Sequence, residues 1–83
     1  MFMNNTISHR IFSITTNYID KNKIVDIARN FQSFDINDLD LLKIMLEIEA
    51  VFNVDIEKMY FSLNEYSSLR NFIEKMTTYI EQR

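Results

Sequence analysis

Not one glycine or proline occurs in the 83 residues of this chain. Tight turns must therefore be built from Asn, Asp and Ser, whose short side chains bond to nearby backbone, and a glycine loop that cradles phosphate cannot exist. Such a composition argues for helices joined by polar loops. The length suits one domain, which can bury roughly two-thirds of its unfolded surface with little stability to spare. No cysteine is present and His9 is the single histidine, so neither a disulfide nor a zinc cluster supplements the core. We read residues 1–83 as one domain.

The chain is organised around Asp35 to Ile56, DINDLDLLKIMLEIEAVFNVDI. Leu39, Leu41, Leu42, Ile44, Met45, Leu46, Ile48, Ala50, Val51 and Phe52 predict an apolar helix over 38–52. Asp40, Lys43 and Glu47 form only a narrow polar stripe at i, i+3 and i+7, so apolar surface remains on more than one flank. Asn37 or Asp38 can cap the first turn, and Asp38 and Asp40 suit the positive end of the helix dipole. Asn53 and Asp55 mark the end, because their side chains favour turns over helix interiors.

Two further stripes flank this helix. Ile7, Ile11, Ile14 and Tyr18, widened by Phe12 and Ile19, predict a first helix that begins near Asn5 or Thr6. Leu69, Phe72, Ile73, Met76 and Ile80 predict a last helix capped by Ser67 or Ser68, with Glu65, Arg70, Glu74, Lys75 and Glu81 on its solvated side. Asp20 to Lys23 reads as a polar loop, and the spacing of Ile24–Ala28, Phe31, Phe34 and Ile36 does not decide a structure. Ile56 to Phe61 predicts a short third helix or a single turn. The expected fold is all-α, a small four-helix bundle with a long first loop and a short third helix.

The run D-L-D-L-L-K-I-M-L-E-I-E-A-V-F-N-V-D-I resembles the second helix of acyl carrier proteins, whose motif is Asp-Ser-Leu followed by an acid, then a helix ending Glu-x-x-Phe and a loop with an Ile. Leu39, Asp40, Glu49, Phe52 and Ile56 match it in place, and Tyr66-Ser67-Ser68-Leu69 is similar to the start of the family's last helix. The likeness covers about half of the chain well and the first third in hydrophobic outline. It implies that Phe31 and Phe34 pin the first loop to the core. It also implies a partner-facing helix, with Leu42 and Leu46 turned outward beside acids such as Asp40 and Glu49.

One departure governs the functional reading. The family's serine, which carries phosphopantetheine, is here Asp38, and its preceding Asp is Asn37. A carboxylate cannot form that phosphodiester, and Ser33 lies outside the helix start. Asp35 stands where the family's loop has glycine. The phosphopantetheine arm is therefore not expected, and no other cofactor is implied.

Charge and motif content exclude several classes. Residues 35–58 hold seven acids against Lys43 and Lys58, out of a net −3 for the chain, whereas residues 1–34 are net basic. That field favours basic partner surfaces and repels nucleic-acid phosphates. No apolar run reaches the roughly 20 residues of a membrane span, and Met1 to Asn4 does not read as a signal peptide, so a cytoplasmic protein is expected. The chain offers no paired nucleophile, acid and base, so no enzyme is expected. Asp35, Asp38 and Asp40 lack the glycine and distal Glu of a calcium loop, and helix capping is preferred to metal binding.

The expected function is that of a non-catalytic, acyl-carrier-like module for fatty acid, polyketide or related carrier-dependent biosynthesis. Asp40, Leu42, Leu46, Glu47 and Glu49 would meet a basic, groove-like surface on a protein partner such as a synthase or transferase. The alternatives are a working carrier with atypical attachment and an unrelated helical adaptor. Leu42 and Leu46 could equally be core or a homodimer seam.

Overall fold

The computed structural model describes residues 6–19 and 36–82. Three α-helices occur among them, α1 (Thr6–Thr16), α2 (Asp38–Phe52) and α3 (Leu69–Glu81), with 3₁₀ turns at Lys58–Phe61 and Leu63–Glu65 and no strand. The expected all-α class is observed, but the four-helix count is not. Ile56 to Phe61, expected to form a short third helix or a single turn, contains the single 3₁₀ turn Lys58–Phe61, and the second 3₁₀ turn follows it at Leu63–Glu65. The expectations for Asp20–Lys23, Ile24–Ala28, Phe31, Ser33, Phe34 and Asp35 lie outside the described residues.

α2 begins and ends where its side chains allow. The Asn37 side chain accepts the Asp40 amide at 2.8 Å, and Asp40 returns the contact by accepting the Asn37 amide at 3.3 Å. This reciprocal box satisfies two orphan donors, so Asn37 rather than Asp38 is the cap. At the other end Asn53 takes the left-handed conformation, φ 55° and ψ 51°, the one positive φ among the described residues. Asn tolerates that region better than other residues with a Cβ, and here it does the work usually given to glycine. The Asn53 and Val54 amides both donate to the Glu49 carbonyl, which closes the last turn.

Leu41, Ile44, Met45 and Ile48 of α2 are fully buried against Ile11 and Ile14 of α1 and Leu69, Phe72, Ile73 and Met76 of α3. All five apolar positions expected on the last helix are buried, and Ser68 caps it by accepting the Asn71 amide at 2.9 Å. The first helix departs from expectation by ending at Thr16, so Tyr18 and Ile19 pack on the core from the segment that follows.

The backbone of α1 lies against both other helices, most extensively against α3, and α2 and α3 approach each other less. Its contact with α3 contains a feature the periodicity does not reveal. The hydroxyls of Ser8 and Thr77 are buried and hydrogen-bonded to each other at 2.9 Å. Two small residues let the helices come close, and the mutual bond removes the cost of burying either hydroxyl alone.

Aromatic residues hold the glycine-free segment between α2 and α3. The Tyr79 hydroxyl donates to the Asp55 carbonyl at 2.8 Å, and Tyr66 donates to the carbonyl of Tyr60. Tyr60 stands edge-on to Tyr79 and Tyr66 edge-on to Phe72, with centroids 5.1 and 4.9 Å apart. The Lys75 ammonium donates to the Glu65 carbonyl at 2.6 Å and lies over the Tyr66 ring.

Candidate functional site

The burial pattern of α2 divides the helix in two. Leu41, Ile44, Met45 and Ile48 face the core, whereas Leu39 is 57% exposed, Leu42 39% and Leu46 52%. These three recur at i, i+3 and i+7, a spacing that keeps them on one side of the cylinder over roughly 10 Å of its length. Exposed Ala50 and Lys43 continue that side, and Val51 is exposed on another flank. A lone exposed leucine needs no explanation, but a stripe of three on a helix whose opposite side is fully buried is an uncommon amount of aligned apolar exposure.

The three acids expected beside the stripe all have intramolecular partners. Asp40 closes the capping box at Asn37. Glu47 accepts the Tyr18 hydroxyl at 2.9 Å, which links α2 to the residues after α1. That hydrogen bond, followed by burial and the charge of Glu47, raises the Tyr18 hydroxyl above its ordinary pKa. Glu49 accepts the Ile56 amide at 2.8 Å and secures the reversal after α2. Each of the three carboxylates is thus oriented by the fold.

Two further features around α2 are not legible in the sequence pattern. Arg10 of α1 lies over the Phe52 ring, 5.0 Å from its centroid, and fastens α1 to the core-facing side of α2. An open cleft of about 360 Å³ lies beside Leu46, lined also by Glu49, Ala50, Asn53, Val54 and Asp55. Asp55 had been read only as a helix stop. A helix wheel carried beyond Phe52 would have placed Asn53 next to Leu46 and Ala50, but the reversal that brings Asp55 round depends on the Asn53 backbone.

A second open cleft, about 370 Å³, lies between the first 3₁₀ turn and α3, with Met59, Tyr60, Glu74 and Tyr79 among its walls. His9 is exposed on α1. Asp38 is exposed in the first turn of α2. No helix among the described residues is long and apolar enough to cross a membrane. Compared with known proteins, the chain matches no family model, no curated protein and no solved structure.

Proposed function

We propose that this chain is a non-catalytic helical module that binds a protein partner through α2, with the plan of an acyl carrier protein but without its phosphopantetheine arm. The observation that carries the reading is the exposed stripe of Leu39, Leu42 and Leu46 on a helix already anchored by its other side. Apolar residues at this spacing suit insertion into a partner's groove, and the acids around them suit a basic rim. The resemblance supplies the partner class, an enzyme of carrier-dependent biosynthesis in the cytoplasm. Asp38 supplies the reason to expect no arm.

Two features favour the adaptor alternative, in which the helices serve binding without any tie to carrier chemistry. The span after α2 forms 3₁₀ turns rather than a helix, and a serine is missing where the arm would attach. Both readings place the contact on the same leucines. The test is recovery of partners from the native cell by wild type and by Leu46→Arg, with circular dichroism of both proteins. Loss of specific partners from a folded Leu46→Arg is expected, and identical partner sets overturn the docking face. Recovered carrier-dependent enzymes support the carrier-like reading over the adaptor, and a phosphopantetheine mass on the wild-type chain overturns the armless one.

A further inference from the structure

Resting on the docking face proposed above, we infer that the partner segment covering the leucine stripe is an amphipathic helix with a carboxylate at the edge of its apolar residues, and that this carboxylate pairs with Lys43. Lys43 is the single basic residue of α2. The face is thus read by its one cation as well as by its leucines.

The position of Lys43 makes it part of the covered surface. At about 100° per residue it stands about 40° round the helix from Leu39 and about 60° from Leu46. Lys43 and Ala50, on the same flank, are both exposed. A helix that lies over the three leucines therefore also passes over the lysine stem, and the ammonium at its end must meet an acceptor or reach past the partner to solvent.

No acceptor is supplied from within the chain. Asp40 and Glu47 stand three residues before and four residues after Lys43, the spacings at which helix ion pairs form. Both are drawn away, since Asp40 accepts the Asn37 amide and Glu47 the Tyr18 hydroxyl. Lys43 makes no ion pair or hydrogen bond among the described residues. Arg10 and Lys75 differ, because Arg10 lies on the Phe52 ring and Lys75 on Tyr66 and the Glu65 carbonyl. An apolar or basic surface over Lys43 would leave a desolvated charge unpaired, whereas a carboxylate makes a charge-assisted hydrogen bond.

The same lysine chooses between occupants. The middle of the stripe, between Leu39 and Leu46, falls beside Lys43, so a second copy docked there with two-fold symmetry brings its own Lys43 against the first. Like charges juxtaposed in this way oppose self-association. A different chain that carries an acid does not meet that repulsion.

The experiment uses the isotopically labelled full chain and two synthetic helices of about 14 residues, or four turns. Both have leucines on one side; one has glutamates along a single edge of the leucines, and its counterpart has glutamines there. Binding is measured at near-physiological salt, where the Debye length is about 8 Å and distant charges contribute little. Both peptides should move the amides of Leu39, Leu42 and Leu46, and the glutamate peptide should bind about threefold to fivefold more tightly. Lys43→Met, which keeps the apolar stem, should abolish that preference, and Lys43→Arg should retain it. The exposed, unbonded side chain lets both variants keep their fold, which circular dichroism checks. If the glutamate peptide has no advantage, or keeps it on Lys43→Met, the pairing is overturned while movement of the leucine amides leaves the docking face standing. If neither peptide moves those amides, the docking face falls with it.

Discussion

At the scale of single residues, the buried hydroxyl pair of Ser8 and Thr77 is the most consequential feature outside the apolar core, because among the described residues each group is satisfied by the other across α1 and α3. Removing one partner strands the second in an apolar environment, which costs about 1–3 kcal/mol. Ser8→Ala and Thr77→Val should each destabilise by that amount in urea unfolding, whereas the double variant should cost less than the sum. Additive losses would show that the two hydroxyls act independently. Asn53 makes a different contribution, since its left-handed backbone is what turns the chain in a protein without glycine.

At the scale of elements, α2 serves two surfaces, and adjacent residues should report them separately. Met45 is fully buried and Leu46 is half exposed. Met45→Ala should therefore cost about 2–5 kcal/mol through lost burial and a residual cavity. Leu46→Ala should stay within about 0.5 kcal/mol, as substitutions away from packed contacts do. Chemical denaturation of the two variants decides the matter, and a loss above about 2 kcal/mol for Leu46→Ala would return that side chain to the core. α1 contributes in a way its short stripe understates, since it packs on both other helices while Arg10 covers Phe52 at the end of α2.

For the whole molecule, Tyr66, which helps fasten the 3₁₀ segment, makes stability sensitive to alkali. Burial first, then the charge of Glu65 and the neighbouring Tyr60, raise the Tyr66 hydroxyl well above its ordinary 10.0. The folded state thus holds the neutral phenol while the unfolded chain ionises near its ordinary value. The contribution of Tyr66 is fully present below about pH 10 and declines as pH rises beyond it. Tyr66→Phe should lower stability at neutral pH by removing the bond to the Tyr60 carbonyl, yet flatten the alkaline decline. Thermal melts from pH 8 to about 11 test this, and an unchanged slope in Tyr66→Phe would exclude Tyr66 as the titrating group.

How much of this is legible in the chain follows from which forces are local. Helix α2 could be read to its ends, because the side chains of Asn37 and Asp40 and the backbone of Asn53 make contacts within four residues and apolar period alone marks Leu41, Ile44, Met45 and Ile48. The buried face of α3 and its Ser68 cap were legible for the same reason. The end of α1 was misplaced because Tyr18 and Ile19 continue the helical spacing while packing from outside the helix. The choice between a short third helix and a single turn stays open in the sequence, because Ile56 to Phe61 has too few periodic positions to tell an α-helix from the 3₁₀ turn found there. Only tertiary structure could pair Ser8 with Thr77 or turn Glu47 toward Tyr18, since those partners are 69 and 29 residues apart. Exposure was likewise a tertiary matter, because Leu41 and Leu42 are chemically identical and only the positions of α1 and α3 decide that one is buried and the other faces solvent. The sequence by itself determined the helices and the acidic character of α2, because periodicity, capping and charge act over a few residues; packing decided which leucines remain exposed.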